Sequence, residues 1–417
     1  MVETTAGPID ARDRIETLDV LRGVALLGVF LMNFLGFASP GIMATDAQLD
    51  ALPTAPVDKW VDWICGWLAH DKANTVFAFL FGLGFWLQLG RAQAKGADFE
   101  RIYLRRLTVL LVIGVVHFLF LWVWDILHVY ALAGFLLFFL RRLPDRWMLG
   151  LGVTLALGAR TVQEWLVELG VLDPFGWSHD PYVEAEVLAR QRLSEAGDWP
   201  GLVQAFLRFD VPDYIFNGLL VAWIFYALGR FLIGAWVGRK GWLLDAAAYL
   251  PGFRRVLVWT LPAGMALEAA ATVGQVLLDD GRLPEGGPWY ALIQTTHLIG
   301  APPMACGLVC AVVVGLHGGA ARWLRPFRWA GRMALTNYVG QTLFYALVLF
   351  GVGPGLALAG RIGSTVVLAI VLAGFAAQVA FSRWWLGRFR YGPLEWVWRA
   401  LTYGTRPRLR ADRVPAV

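Results

Sequence analysis

Residues 14–34 read RIETLDVLRGVALLGVFLMNF, an apolar run that holds Asp19, Arg22 and Asn33 in or at the edge of a segment otherwise suited to hydrocarbon. A carboxylate or guanidinium at the middle of a membrane helix costs roughly 2.5–3.5 kcal/mol on insertion scales. At about 100° per residue, positions 19, 22, 26, 29 and 33 share one helical face. These groups can therefore point together into a bundle interior, and function is sought on that face.

The rest of the chain has the same character. Its 417 residues are 58% hydrophobic and 16% charged, with 21 Trp spread over many separate apolar stretches. That balance excludes an ordinary soluble domain and predicts an all-α fold, a polytopic integral membrane bundle. The net charge of +5 does not argue for nucleic acid, because the basic residues sit in short clusters between apolar runs, as orientation signals do. Cys65, Cys306 and Cys310 form no CxxC pair, so neither a zinc site nor a disulfide framework is implied. The first run lacks a convincing cleavage site and is read as a retained first helix.

Runs of about 20 apolar residues are needed to cross a bilayer. Such runs are expected near 18–38, 73–90, 104–124, 126–140, 147–167, 214–236, 255–278, 290–316, 329–350 and 361–381, about ten transmembrane helices. The third and fourth meet at a tight turn around WVWDILHVY (122–130). The clusters Arg91–Lys95–Arg101–Arg105–Arg106, Arg141–Arg142–Arg146, Arg239–Lys240–Arg254–Arg255 and Arg322–Arg325–Arg328–Arg332 fall in alternate connections. Arg12, Arg14 and the Arg-rich tail continue the pattern. The positive-inside rule then places every cluster and both termini in the cytoplasm, with the chain multi-pass. The whole of 1–417 reads as one membrane-embedded domain, with 168–213 as an extracytoplasmic loop or cap and 382–417 as a cytoplasmic basic tail. Within the loop, DPYVEAEVLARQRLSEAG (180–197) reads as an amphipathic or surface helix, either a cap or a substrate-selecting lid. No internal repeat of the transporter kind is evident.

This topology sorts the intramembrane polar residues into two layers. The outer one holds His70, Asp71, Lys72, His117, Asp125 and His128, joined by Asn33, Gln294 and His297. A neutral imidazole can take a proton from a hydroxyl or amine while a carboxylate fixes its tautomer, which makes His117 with Asp125, or His70, a candidate general base. On an unbroken helix His117 and Asp125 would lie about 80° and 12 Å apart, so they cooperate only if the turn folds the carboxylate back. The alternative is a satisfied bundle histidine with Asp125 capping a helix end. No ligand spacing supports a metal: His117 and His128 would stand some 16 Å apart along a helix.

The inner layer holds Asp19, Arg22, Arg105, Arg106, Arg332, Glu395 and Arg399. Arginines clustered at a membrane face can grip phosphate through bidentate contacts; positive-inside charge alone is the competing account. In the ninth span Asn337, Gln341 and Tyr345 step along one stripe, either substrate-lining or bonded between helices.

Taken with FAFLFGLGFWLQLGRA (77–92), RRLTVLLVIGVVHFLFLWVWDILHVYAL (105–132), GRMALTNYVGQTLFYAL (331–347) and RYGPLEWVWRALTYG (390–404), the opening stretch resembles the YeiB-like bacterial inner-membrane proteins. The C-terminal half of that family is domain of unknown function 418. The resemblance runs from residue 14 to about 404 and implies a bundle of about ten helices. More distantly, LDVLRG is similar to the opening of transmembrane acyltransferases of the heparan-glucosaminide acetyltransferase type. That similarity implies acyl transfer from cytoplasmic acyl-CoA to a glycan hydroxyl or amine across the membrane. Those enzymes place a histidine just after the first span, whereas GFASPGIMATDAQ (36–48) has none.

The leading expectation is a membrane-embedded acyltransferase. Arg22, Arg105, Arg106 and Arg332 would hold acyl-CoA, and His117 or His70, with Asp125, would act on an envelope glycan, lipid or small-molecule acceptor. Asn33, Lys72, Gln294, His297, Asn337, Gln341 and Tyr345 would line the substrate path. The rivals are a permease with proton-coupled histidines and a non-catalytic scaffold or sensor; a homo-oligomer stays open.

Overall fold

The structure, a computed structural model, describes residues 15–94, 96, 98–172, 184–284 and 288–410. Arg12, Arg14, Lys95, the start of the expected surface helix and the end of the tail lie outside the described residues. The described residues form helices α1 (Glu16–Ala38), α2 (Asp46–Asp50), α3 (Ala55–Ala69), α4 (Lys72–Ala94), α5 (Phe99–Phe120), α6 (Leu127–Leu140), α7 (Asp145–Glu168), α8 (Glu184–Glu195) and α9 (Trp199–Phe216). They continue as α10 (Leu219–Lys240), α11 (Leu250–Asp279), α12 (Trp289–Leu316), α13 (Ala321–Leu324), α14 (Phe327–Arg332), α15 (Ala334–Leu349), α16 (Ser364–Leu386) and α17 (Pro393–Tyr403). Among the described residues, β pairing is confined to two isolated bridges, Pro40–Ala44 and Phe389–Arg410.

Among the described residues, seven stretches are long and apolar enough to cross a membrane: α1, Ala55–Ala94, α5, α10, α11, α12 and α16. Three expected spans fall short for separate reasons. α6 has 14 residues and α15 has 16, about 21 and 24 Å at 1.5 Å per residue against a hydrocarbon core of about 30 Å. α7 has 24 residues but carries Arg160, Gln163 and Glu164 in its second half.

Several boundaries also differ. The expected 214–236 span is divided at Asn217–Gly218, where Gly218 takes φ 70° and α10 starts afresh. The 329–350 span breaks at Met333, φ −116° and ψ 37°. α3, which lies outside every expected span, runs as an amphipathic helix directly before α4.

Small residues let the backbones approach. A Cβ on Gly82 of α4 would stand 2.0 Å from the Phe231 carbonyl oxygen, and one on Gly234 of α10 would stand 2.0 Å from that of Phe79. α1 and α14 repeat the device: a Cβ on Gly23 would meet the Phe327 oxygen at 2.1 Å, and one on Gly331 the Asp19 oxygen at 1.9 Å. In lipid, where apolar burial between helices gains little, such close backbone packing supplies the contact energy.

The basic connections gather at one end of the bundle. Arg328 pairs with Glu16 and Arg141 with Glu100. Arg239 reaches Asp145 at 2.9 Å and the Arg141 carbonyl at 2.8 Å, while Lys240 reaches Asp145 at 2.7 Å. The Lys240 ammonium, then Arg239, holds the exposed Asp145 carboxyl below its usual range. At the opposite end α8 packs on the α1–α2 turn: buried Arg190 donates to the carbonyls of Ile42 at 2.9 Å and Gly41 at 2.7 Å.

Candidate functional site

A cavity of about 310 Å³ starts at the basic end. Arg22, Arg91, Arg106, Arg332 and Arg399 line that part of it, with Asp19, Gln88 and Glu395. The cavity follows α1 from Ile15 to Val29, about 21 Å at 1.5 Å per residue. It ends among Asn74, Ile126, Leu127, Tyr130 and Tyr338.

Aromatic faces set the guanidinium groups. Arg106 lies 3.9 Å over the Trp398 ring, Arg399 4.8 Å over Tyr391 and Arg332 5.4 Å over Trp329. Stacking leaves the guanidinium edges available for hydrogen bonds in the ring plane. Arg22 donates to Asp19 at 2.9 Å. Arg105 is exposed and stands outside the cavity lining. Glu395 serves the backbone instead. Its carboxylate accepts the Leu335 N–H at 2.7 Å, the Thr336 N–H at 3.1 Å and the Thr336 hydroxyl at 2.5 Å. It thereby satisfies donors at the start of α15 for which no preceding turn of helix supplies an acceptor.

Behind Tyr338 lies a buried network centred on Asp125. After α5 the chain turns back through Trp122–Asp125, so Asp125 Oδ1 comes 2.9 Å from His117 Nδ1. Its Oδ2 stands 2.9 Å from His128 Nδ1 and accepts the His128 backbone N–H at 3.0 Å. Tyr338 Oη donates to Oδ1 at 3.4 Å. His117 Nε2 meets Thr342 Oγ1 at 2.9 Å, Tyr345 Oη donates to the same oxygen at 2.9 Å, and His128 Nε2 meets Tyr214 Oη at 3.0 Å. Every bond is satisfied when each imidazole carries its proton on Nδ1 and Asp125 is ionised. Thr342 then donates to His117, in the order hydroxyl, imidazole, carboxylate that activates a hydroxyl in hydrolases.

A second network joins the α3–α4 junction to α11 and α12. Lys72 Nζ stands 2.8 Å from Glu268 Oε1, and His297 bridges Glu268 at 2.9 Å and Asp71 at 3.0 Å. The His70 ring stacks on His297 with centroids 4.9 Å apart.

Three relatives align over nearly their full length. The uncharacterized protein YxaH of Bacillus subtilis (strain 168) is 30% identical over 95% of this chain and 96% of the relative. The uncharacterized protein YeiB of Escherichia coli (strain K12) is 30% identical over 94% and 96%, and an uncharacterized 39.9 kDa protein of Bacillus acidopullulyticus is 30% identical over 96% of each. The model described as "Protein of unknown function (DUF418)" matches residues 237–405. The chain belongs to the YeiB-like DUF418 family. A second model, "Heparan-alpha-glucosaminide N-acetyltransferase, catalytic", matches residues 14–186, so the front of this YeiB-like chain is similar to an acyltransferase catalytic domain.

Both networks cross between the two matched stretches. His117 and Asp125 meet Tyr338 and Thr342; Asp71 and Lys72 meet His297 and Glu268. Of the residues expected to act together, the structure joins His117 with Asp125 and brings Arg22, Arg106 and Arg332 to one cavity. It separates His70, Lys72 and His297 from His117.

The α15 stripe divides. Asn337 bonds Ser382 at 3.0 Å and the Ala330 carbonyl, and Gln341 bonds Gln378 at 3.0 Å, both tying α15 to α16 rather than lining the cavity. Tyr345 enters the Asp125 network. Asn33 and Gln294 lie outside the cavity lining and the hydrogen bonds of either network. Sequence reasoning missed Tyr338, Thr342, Glu268 and Arg230. The last two are charged groups within expected spans, so the cost argument applied to Asp19 identifies them as well. Arg230 is buried, donating to Thr75 Oγ1 at 2.8 Å.

Proposed function

We propose that this protein is a membrane-embedded acyltransferase that moves an acyl group from cytoplasmic acyl-CoA to an extracytoplasmic or envelope acceptor. The observation that carries the reading is the cavity: arginines suited to phosphate line one end, and Tyr338 at the other touches a hydroxyl–imidazole–carboxylate chain. The match of residues 14–186 to an acetyltransferase catalytic domain supports it. In this reading the basic end and both termini face the cytoplasm of a bacterial inner membrane, and α6, α7 and α15 complete about ten crossings. Arg22, Arg106, Arg332 and Arg399 hold the phosphates of the donor. Its thioester reaches towards Tyr338.

The acceptor hydroxyl or amine attacks the thioester carbonyl, and the C–S bond breaks. The acceptor's proton passes through the Thr342 hydroxyl to His117 Nε2 and is returned to the departing thiolate. Asp125 keeps the His117 proton on Nδ1 and stabilises the imidazolium while it exists.

Acetyl-CoA is expected to raise the melting temperature of the purified, detergent-solubilised protein above the values with free CoA or ATP. A ligand at about 100 times its dissociation constant adds roughly 2.7 kcal/mol if it binds only the folded state. Arg106→Ala and Arg22→Ala should weaken the rise. No shift with any CoA thioester, together with solute accumulation in sealed vesicles, would replace this reading by transport.

A further inference from the structure

We propose that His70, Asp71 and His297 form a binding site for a divalent transition metal of the zinc class, separate from the cavity and independent of acyl transfer. The three residues each offer one donor atom, all within 4.8 Å of one another. His297 Nε2 and Asp71 Oδ2 stand 3.0 Å apart; two ligands of a tetrahedral zinc with bonds of about 2.0–2.1 Å lie about 3.3 Å apart. Two of the three donors therefore stand within about 0.3 Å of that separation, and the third sits on an exposed side chain whose ring stacks on His297. Asp71 has φ 58°, an αL geometry that Asp tolerates at the junction of α3 and α4.

The surroundings match what a ligating histidine requires. A metal-bound imidazole usually gives its other nitrogen to a carboxylate, which fixes ring orientation and raises ligand basicity. Here Glu268 Oε2 takes His297 Nδ1 at 2.9 Å, leaving Nε2 for the metal. Glu268 is fixed in turn by Lys72 at 2.8 Å, and Lys72 Nζ also donates to the Gly66 carbonyl at 3.3 Å. Lys72 and Glu268 are 0% and 3% exposed, so this support is buried, while His70 lies at the surface of the protein and Asp71 and His297 are half-buried.

The carboxylates on either side fix His297, and the His70 ring stacked on it, with centroids 4.9 Å apart, brings a second imidazole to the same place. Two imidazoles and one carboxylate suit zinc better than magnesium or calcium, which take oxygen ligands. Three protein ligands leave a fourth position for water or a substrate oxygen, the arrangement of catalytic zinc sites.

The test uses the full chain, carrying no histidine tag, purified in detergent, stripped with a chelator and dialysed. Cobalt(II) titration should give tetrahedral ligand-field bands that saturate at one equivalent and vanish on adding zinc. His70→Ala, at an exposed position, should fold as the parent does and lose both the bands and the retained zinc. Glu268→Gln should keep the stoichiometry but bind about 10–100-fold more weakly. Equal metal retention in His70→Ala and the parent, or a parent that holds no zinc after loading and dialysis, would overturn the proposal. Neither result bears on acetyl-CoA binding, so the two readings fail separately.

Discussion

Asp125→Asn is expected to reduce acyl transfer by about 10²–10⁴-fold, the range supplied by a positioned acid–base group. Asp125 accepts from His117, His128 and Tyr338 through two oxygens. An asparagine keeps the shape but turns one of those oxygens into a donor. If the amide NH₂ faces His117, the imidazole must become an acceptor at Nδ1 and carry its proton on Nε2. That proton then confronts Thr342 at 2.9 Å, and the hydroxyl has no base to receive its own.

Turned the other way, the NH₂ meets two His128 donors, so the variant also loses stability. His117→Ala should be as inactive, while His128→Ala, which leaves the Thr342–His117–Asp125 chain intact, should retain more activity. The comparison is made on kcat, with melting temperature measured on the same samples. Full activity in a well-folded Asp125→Asn or His117→Ala would remove the network from the mechanism.

Gly82→Val and Gly234→Val are expected to prevent recovery of folded protein. Each added Cβ would come within 2.0 Å of a backbone oxygen on the facing helix, and a backbone cannot swing aside as a side chain can. α4 and α10 would have to separate by about an ångström or more to restore ordinary contact distances. That separation would open the core around Phe81 and Phe231, whose rings stack at 4.5 Å. Overpacking that side chains can absorb already costs about 1–3 kcal/mol, and the total stability of a domain is only about 5–15 kcal/mol. Gly90→Ala and Gly158→Ala are the controls: nothing lies within 4 Å of either added Cβ, so helix propensity should make them neutral or stabilising by up to about 1 kcal/mol. Size-exclusion yield and melting temperature give the readout. A Gly82→Val variant that melts with the parent would refute the α4–α10 crossing.

Apolar length and the alternation of arginines made the helical membrane class and the gathering of basic connections legible in the sequence. Short helices hid the rest. α6 and α15 carry hydropathy like that of spans but are too short to be told from them by composition. The return of Asp125 onto His117 depends on the turn Trp122–Asp125, and helical arithmetic has no term for a chain that reverses. On α15 the polar pattern offered two overlapping stripes. The 337, 341 and 345 series was the more polar one, while the network takes 338, 342 and 345, because Tyr and Thr hydroxyls are cheap in an apolar run and so attract little notice. Glu268 and His297 lie 29 residues apart on successive helices, and their pairing becomes visible only once α11 and α12 are packed together.

Beyond Tyr338 the outer end is filled by rings. Phe37 and Trp122 lie with centroids 3.7 Å apart, Trp122 and Tyr345 4.4 Å, and Phe206 and Phe350 close on Phe37 at 5.3 and 5.8 Å. This plug has an electrical consequence. In a membrane, solvent entering the cavity from the basic end would carry the potential of that side inward for about 21 Å of a core about 30 Å thick. The membrane voltage then falls mostly across the aromatic layer. In the proposed acyl transfer an uncharged group crossing that layer would do no electrical work, whereas a leaking proton would be driven by about 2.3 kcal/mol per 100 mV. In that reading the rings are the insulation that lets a deep cavity exist in an energised membrane. Replacing Trp122 by Ala should therefore register first as proton leakage in energised vesicles.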